Sequence, residues 1–167
     1  MRRYPWLLLL LVAVTGCGGG SGGPGGQICT EIGAPPGIGV DVAAPIAEQV
    51  TGGTLQVCWD GECVQRDLQL RPSTEAGETT CTGDGPEDNC SAQVSENGRK
   101  NAFADLRDLP QAPVRATLTL TGADGQVVRQ ELEVTPELTY PNGTECPPGG
   151  VQAHLVVDES GSVQERD

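Results

Sequence analysis

Residues 114–134 read VRATLTLTGADGQVVRQELEV. Val114, Ala116, Leu118 and Leu120 alternate with Arg115, Thr117 and Thr119. After a break, Val128, Leu132 and Val134 alternate with Arg129, Glu131 and Glu133. Alternation of period two sends apolar side chains to one face of a strand and polar ones to the other, so both runs read as half-buried strands. The turn between them fixes their register. A two-residue Asp124-Gly125 turn would set Leu120 opposite Arg129 and mix charge into the apolar face. A three-residue loop, Ala123-Asp124-Gly125, sets Leu120 opposite Val128 and Ala116 opposite Leu132. The hydrophobic pattern selects the longer loop, with Gly125 in the left-handed position of a bulge.

The same period recurs along the chain. Ile38, Val40 and Val42 alternate with Gly39 and Asp41; Leu55, Val57 and Trp59 alternate with Gln56 and Cys58. Asp60-Gly61 is a two-residue hairpin signal that places Val57 opposite Val64, with Arg66 then falling on the apolar side, as at an edge or a bulge. Near the end Val151, Ala153, Leu155 and Val157 alternate with Gln152 and His154, and Asp158 to Gly161 turns the chain into a short polar strand. Asn97-Gly98 reads as another turn, Pro45 to Val50 as a short helix, and Asn101 to Leu109 as either a strand or a helical turn. Seven to nine short strands without a long amphipathic helix predict an all-β fold, an antiparallel β-sandwich of immunoglobulin-like layering. The Cys–Trp–Cys spacing of true immunoglobulin domains is not evident.

The N-terminus has a different composition. Arg2 and Arg3 precede an apolar run, Leu7 to Val14, which is shorter than the ~20 residues needed to span a bilayer. Thr15 and Gly16 follow, and then Cys17. A basic start, a short apolar core and small residues at the exit make a secretory signal. Val14-Thr15-Gly16-Cys17 resembles the lipobox of bacterial lipoproteins. That resemblance implies cleavage before Cys17, a diacylglycerol thioether on its sulfur, and acylation of the new amine. The Gly-rich segment after Cys17, residues 18–27, cannot bury apolar surface and spans roughly 17 Å as a flexible coil. The expected organisation is a signal peptide over residues 1–16, a lipidated Cys and tether over 17–27, and one domain over 28–167.

Six cysteines follow the lipid site, and an even number in an exported chain implies a disulfide framework. A Cys58–Cys63 bridge fits the hairpin, because residues flanking a two-residue turn in a non-hydrogen-bonded pair sit about 4.5 Å apart. Cys81 and Cys90 bracket a polar loop, and Cys29 with Cys146 then joins the two ends of the domain. Four residues between Cys58 and Cys63, with no helix start after them, argue against a redox pair.

Removing the leader takes two of the ten Lys and Arg and none of the 23 Asp and Glu, leaving a net charge of −15. Such a surface excludes nucleic acid as a partner, since phosphates need Lys and Arg. Only Trp59, Phe103 and Tyr140 remain as aromatics, so the core must be built from Val, Leu, Ile and Ala. His154 is the sole histidine and falls on the polar side of its strand. No nucleophile motif, phosphate-binding loop or zinc spacing accompanies it. No catalytic residue and no cofactor is expected. Glu131 and Glu133 share an outward face without an apolar pocket to raise a pKa. Asp84, Glu87, Asp88 and Asn89 crowd into the Cys81–Cys90 loop and are the candidates for a calcium site, although their spacing is not that of an EF-hand. Asn142-Gly143-Thr144 matches the glycosylation pattern but reads as a turn.

Val57-Cys58-Trp59-Asp60-Gly61-Glu62-Cys63, with Thr139-Tyr140-Pro141-Asn142-Gly143, resembles a group of actinobacterial lipoproteins, which implies no assigned activity. The expectation is a non-enzymatic binding or accessory domain held at the outer face of the cell membrane by its lipid. Its partner would be an unidentified protein or cell-wall component. The alternative is a calcium- or small-ligand-binding surface lipoprotein.

Overall fold

The computed structural model describes residues 29–166. The expected signal peptide, the lipidation candidate Cys17 and the expected tether lie outside them. Ten strands and one helical turn form two stacked sheets. The strands are β1 (Gly37–Val42), β2 (Gly52–Trp59), β3 (Glu62–Leu68), β4 (Arg71–Cys81), β5 (Cys90–Asp105), β6 (Val114–Gly122), β7 (Gly125–Val134), β8 (Glu137–Leu138), β9 (Val151–Val157) and β10 (Val163–Glu165). The helix α1 (Ile46–Gln49) lies within the segment read as a short helix. One sheet runs β3-β2-β6-β7; the other runs β10-β9-β1-β5-β4, with β8 also on β9. All pairings are antiparallel except β1 with β9, which is parallel.

The inner faces follow the alternation. Leu55, Val57, Val114, Ala116, Leu118 and Leu120 from the smaller sheet meet Ile38, Val40, Val42, Leu155 and Val157 from the larger one in a single buried cluster. Among the described residues the core is wholly aliphatic apart from Cys146, and no polar or charged residue is buried. Trp59 only packs against its margin.

Both hairpin registers read from the sequence are present. Val57 faces Val64 and Cys58 faces Cys63 across a turn in which Asp60 (φ 49°) and Gly61 (φ 83°) are both left-handed. That is the geometry matching the twist of two-residue hairpins. Leu120 faces Val128 and Ala116 faces Leu132. The connection differs from the expected three-residue loop. Gly122 pairs with Gly125 across a two-residue Ala123-Asp124 turn, and the odd residue is taken up as a bulge at Val127, between the Thr121–Gln126 and Leu120–Val128 pairs. The register is the same either way, because the packed face determines it. Arg66 marks an edge: β3 ends its sheet, and the Arg66 Nε donates to the Asp105 carbonyl at 3.0 Å, tying β3 to β5 of the other sheet. On the opposite margin the Gln130 side chain of β7 donates to the Val163 carbonyl and accepts from its N–H, at 2.6 and 2.9 Å. Each margin of the sandwich is thus closed by side chain-to-backbone bonds.

The Asn97-Gly98 turn is corrected by the structure. β5 continues through both residues as one 16-residue strand. Gly98 is left-handed (φ 76°) and the Asn97 Oδ1 accepts from the Arg99 N–H at 3.1 Å. The pair makes a bulge opposite β4, between the Pro72–Lys100 and Thr74–Glu96 pairs. Because β4 pairs on both sides of it, the local bend does not end the strand.

All three expected disulfides are formed: Cys29–Cys146, Cys58–Cys63 and Cys81–Cys90. Cys29–Cys146 spans 117 residues. The loop-entropy relation assigns it nearly 5 kcal/mol, against about 2 and nearly 3 kcal/mol for the two short loops.

Two outcomes follow. Leu118→Ala opens a cavity in a fully buried site and should cost about 2–5 kcal/mol in urea unfolding. Replacing both Cys29 and Cys146 by Ser should lower stability by up to about 5 kcal/mol, and more than the same change at Cys58 and Cys63, in matched denaturant titrations.

Candidate functional site

Strand alternation that buries Ile38, Val40 and Val42 turns Gly37, Gly39 and Asp41 to the outer face of the larger sheet. Gly39 pairs with Phe103 on one side and His154 on the other. A Cβ at Gly39 would come within 2.5 Å of the His154 Nδ1, and one at Gly37 within 2.7 Å of the Phe103 ring. The two rings therefore lean over a bare glycine backbone that no larger residue could share with them. They flank an open depression of 630 Å³ that also draws in Arg66, Arg71, Asn101 and Asp105.

Three of the polar residues of this depression are held by hydrogen bonds, two of them to residues beyond its lining. Asn101 donates to the Ser73 hydroxyl at 2.8 Å, Arg66 holds the Asp105 carbonyl, and Asp41 pairs with Arg166. His154 is exposed, as expected for the polar side of its strand, and Phe103 is 40% exposed. The depression is a shallow surface with both charge signs, and no buried ionisable group reaches it.

The acidic loop is built differently from a cation site. The Asp88 carboxylate accepts from the Gly85 N–H at 2.6 Å and from the Thr82 hydroxyl at 3.2 Å. The Asn89 N–H donates to that same hydroxyl at 3.2 Å. Asp88 thus folds the loop around itself and packs on Gly83 and Gly85. Among the described residues no three His, Cys, Asp or Glu side chains gather as a metal-holding group, so Asp84 and Glu87 are not brought together with Asp88. The calcium expectation finds no assembled ligand set.

Asn142-Gly143 is a turn, with the Gly143 N–H donating to the Tyr140 carbonyl at 3.0 Å. Asn142 also donates to the Ile32 carbonyl at 2.9 Å and bonds the Thr30 hydroxyl. It fastens the entering chain beside Cys29–Cys146, a role that the glycosylation pattern concealed. Glu131 and Glu133 lie on the outward face of β7, as expected, opposite Thr117 and Arg115.

The element that sequence reading missed is β4 with the outer half of β5. The two strands form a long ribbon beyond the body of the sandwich. From Thr74 to Glu96 every residue but Ala92 is exposed, and Val94 is 64% exposed. Among the described residues nothing buries either face, so no apolar alternation marked these strands. The available signals were the Cys81–Cys90 bracket and the β-branched Thr79-Thr80 leading into it. Compared with known proteins, the chain matches no family model, no curated protein and no solved structure.

Hydrogen bonds move the titration of Asp158. Asp158, in the turn from β9 to β10, accepts from the Ser160 hydroxyl at 2.6 Å and from the N–H groups of Ser160 and Ser162 at 2.8 and 3.0 Å. These bonds, the Ser160 hydroxyl first, hold its pKa below the ordinary 3.8. A depressed native pKa stabilises the fold above the unfolded value and ceases to do so as pH falls through the native one. Asp158→Asn should therefore lower the Tm at neutral pH, and the deficit should shrink as pH drops below 3.8.

Proposed function

We propose that this protein is a lipid-anchored extracytoplasmic lipoprotein whose β-sandwich acts as a non-enzymatic binding or accessory domain. The cysteine distribution carries the reading. Six of the seven cysteines pair among themselves within the domain, and the seventh is Cys17, directly after a secretory signal and inside a lipobox-like sequence. Three disulfides are consistent with an extracytoplasmic location. The resemblance of the Cys58–Cys63 hairpin and the Thr139–Gly143 segment to actinobacterial lipoproteins supports the same address.

The geometry gives this module a direction. The entering chain reaches β1 at its Gly37 end, where the Leu106 N–H donates to the Pro36 carbonyl and the Gly150 N–H to the Ala34 carbonyl. β5 runs antiparallel to β1, with Gly37 opposite Asp105 and Val42 opposite Lys100. Residues Cys90–Arg99 consequently extend past the far end of β1. At 3.2–3.4 Å per residue the ribbon reaches roughly 30 Å beyond the sandwich. In the proposed anchoring the point of attachment lies at the end of β1 opposite that ribbon.

Expression in a bacterium that processes lipoproteins tests the anchor. The native chain should fractionate with membranes, and mass spectrometry should find the diacylglycerol adduct on Cys17. Cys17→Ser should abolish the adduct and release the protein from the membrane fraction. An unmodified Cys17, or a cytosolic protein with all its thiols free, would overturn the reading.

A further inference from the structure

We infer that the free edge of β4 is a docking strand for an extended, basic segment of a partner protein, taken up by strand addition. The inference deepens the binding-domain reading above by naming the partner's chemistry. Among the described residues, β4 ends the larger sheet and pairs only with β5. Such an edge presents unpaired N–H and C=O groups that can accept another strand.

The phase of the edge follows from the disulfide. Cys81 and Cys90 are a close pair, with Cα atoms 4.1 Å apart, as in the non-hydrogen-bonded position of an antiparallel ladder. The Thr82 N–H donates inward to the Asn89 carbonyl at 3.1 Å. By alternation Thr79 and Cys81 direct their N–H groups away from β5, into solvent.

Natural edges are commonly blunted by Lys, by Pro or by covering elements. This one has no Lys, its sole Pro is Pro72 at the base, and its faces are bare. Two bulges, themselves a device that blunts edges, bend it at Asn97-Gly98 and where Gly77-Glu78 oppose Gln93, and leave Thr74–Ala76 and Thr79–Cys81 as regular stretches.

Charge selects among occupants. Between Arg71 and Arg99 the ribbon carries Glu75, Glu78, Asp84, Glu87, Asp88 and Glu96 and not one Lys, Arg or His. A second copy pairing edge to edge would set Glu75 and Glu78 against their own kind, and like charges across a sheet destabilise it. A strand bearing Lys or Arg gains from the same field. Backbone pairing supplies affinity and the acidic surface supplies selectivity.

The test uses the full chain in detergent and a synthetic peptide of alternating Lys and Thr, about ten residues long. Fluorescence anisotropy should show saturable binding that weakens with salt, and hydrogen–deuterium exchange should slow across residues 74–81. The same peptide with alternate N-methyl groups keeps its charge but cannot pair, and should bind about tenfold or more weakly. Thr79→Pro removes an outward N–H without touching the β5 ladder, and should weaken binding while leaving the Tm unchanged. Glu75→Gln with Glu78→Gln should flatten the salt dependence. Equal binding of the N-methylated peptide, no protection across 74–81, or no binding at all would overturn the inference. So would protection of 74–81 by self-association in the absence of peptide. Failure of the lipid assignment would leave every one of these measurements unchanged.

Discussion

Everything in this fold waits on the placement of β1. It is the first strand of the domain, yet it lies inside the larger sheet, antiparallel to β5 on one edge and parallel to β9 on the other. A parallel neighbour requires a crossover rather than a turn, and here nearly the whole domain is the crossover. The larger sheet is therefore incomplete until the last long strand arrives. Such non-local pairing pays loop-closure entropy before its contacts can reward it. The Cys29–Cys146 bond addresses that cost, since it joins the segments that lead into β1 and β9. The polar bonds along the same end, from Asn142 to Ile32 and from Gly150 to Ala34, hold the entering chain where β1 must start.

The core gives this arrangement little surplus. Its members are Val, Leu, Ile and Ala, and the three aromatic residues of the described chain lie at the margin or on the surface. Aromatic rings bury the largest areas per residue, so a core without them relies on many small, well-registered contacts. That is why register is over-determined here. The Cys58–Cys63 pair, the left-handed Asp60-Gly61 turn and the Val57–Val64 contact all specify the same alignment of β2 on β3. In β6 and β7 the alignment survives a change of turn geometry, because displacing Val128 from Leu120 would expose the apolar face.

What could be read from the sequence follows directly from burial. Wherever one face of a strand is packed, alternation is imposed on the residues. β1, β2, β6, β7 and β9 were accordingly visible, as were the β2–β3 and β6–β7 registers and all three disulfides. β4 and the outer half of β5 have no packed face, so composition there is free to be polar on both sides and the period disappears. Asn97-Gly98 misled for the same reason: a left-handed dipeptide is a turn or a bulge according to whether a neighbouring strand pairs across it, and that neighbour was itself invisible. The parallel β1–β9 pairing leaves no local trace at all, being a property of two segments far apart in the chain. The surface was legible residue by residue, as with the exposed His154 and the outward Glu131 and Glu133, but not as an arrangement. That Phe103 lies over Gly37 and His154 over Gly39 depends on which strands flank β1.

The contrast between the two halves of β5 carries the last step. Its inner half, Ala102 and Ala104, is locked between β1 and the opposing sheet; its outer half shares a ribbon with β4 in which, from Thr74 to Glu96, only Ala92 is not exposed. A bare two-stranded ribbon is marginally stable in water, and this one is secured at both ends, by the sheet at its base and by Cys81–Cys90 with the Asp88-centred loop at its tip. A chain selected only for stability would gain little by ordering residues that bury no surface, since each costs about 1–2 kcal/mol of backbone entropy. The staple at the tip makes sense where the extended conformation is itself what must be presented. Screening confines the influence of its carboxylates to about 8 Å at physiological salt, so they act on what lies against the ribbon and not on the solution at large. Order without burial, and carboxylates with no salt bridge among the described residues, are the features on which the proposed docking role rests.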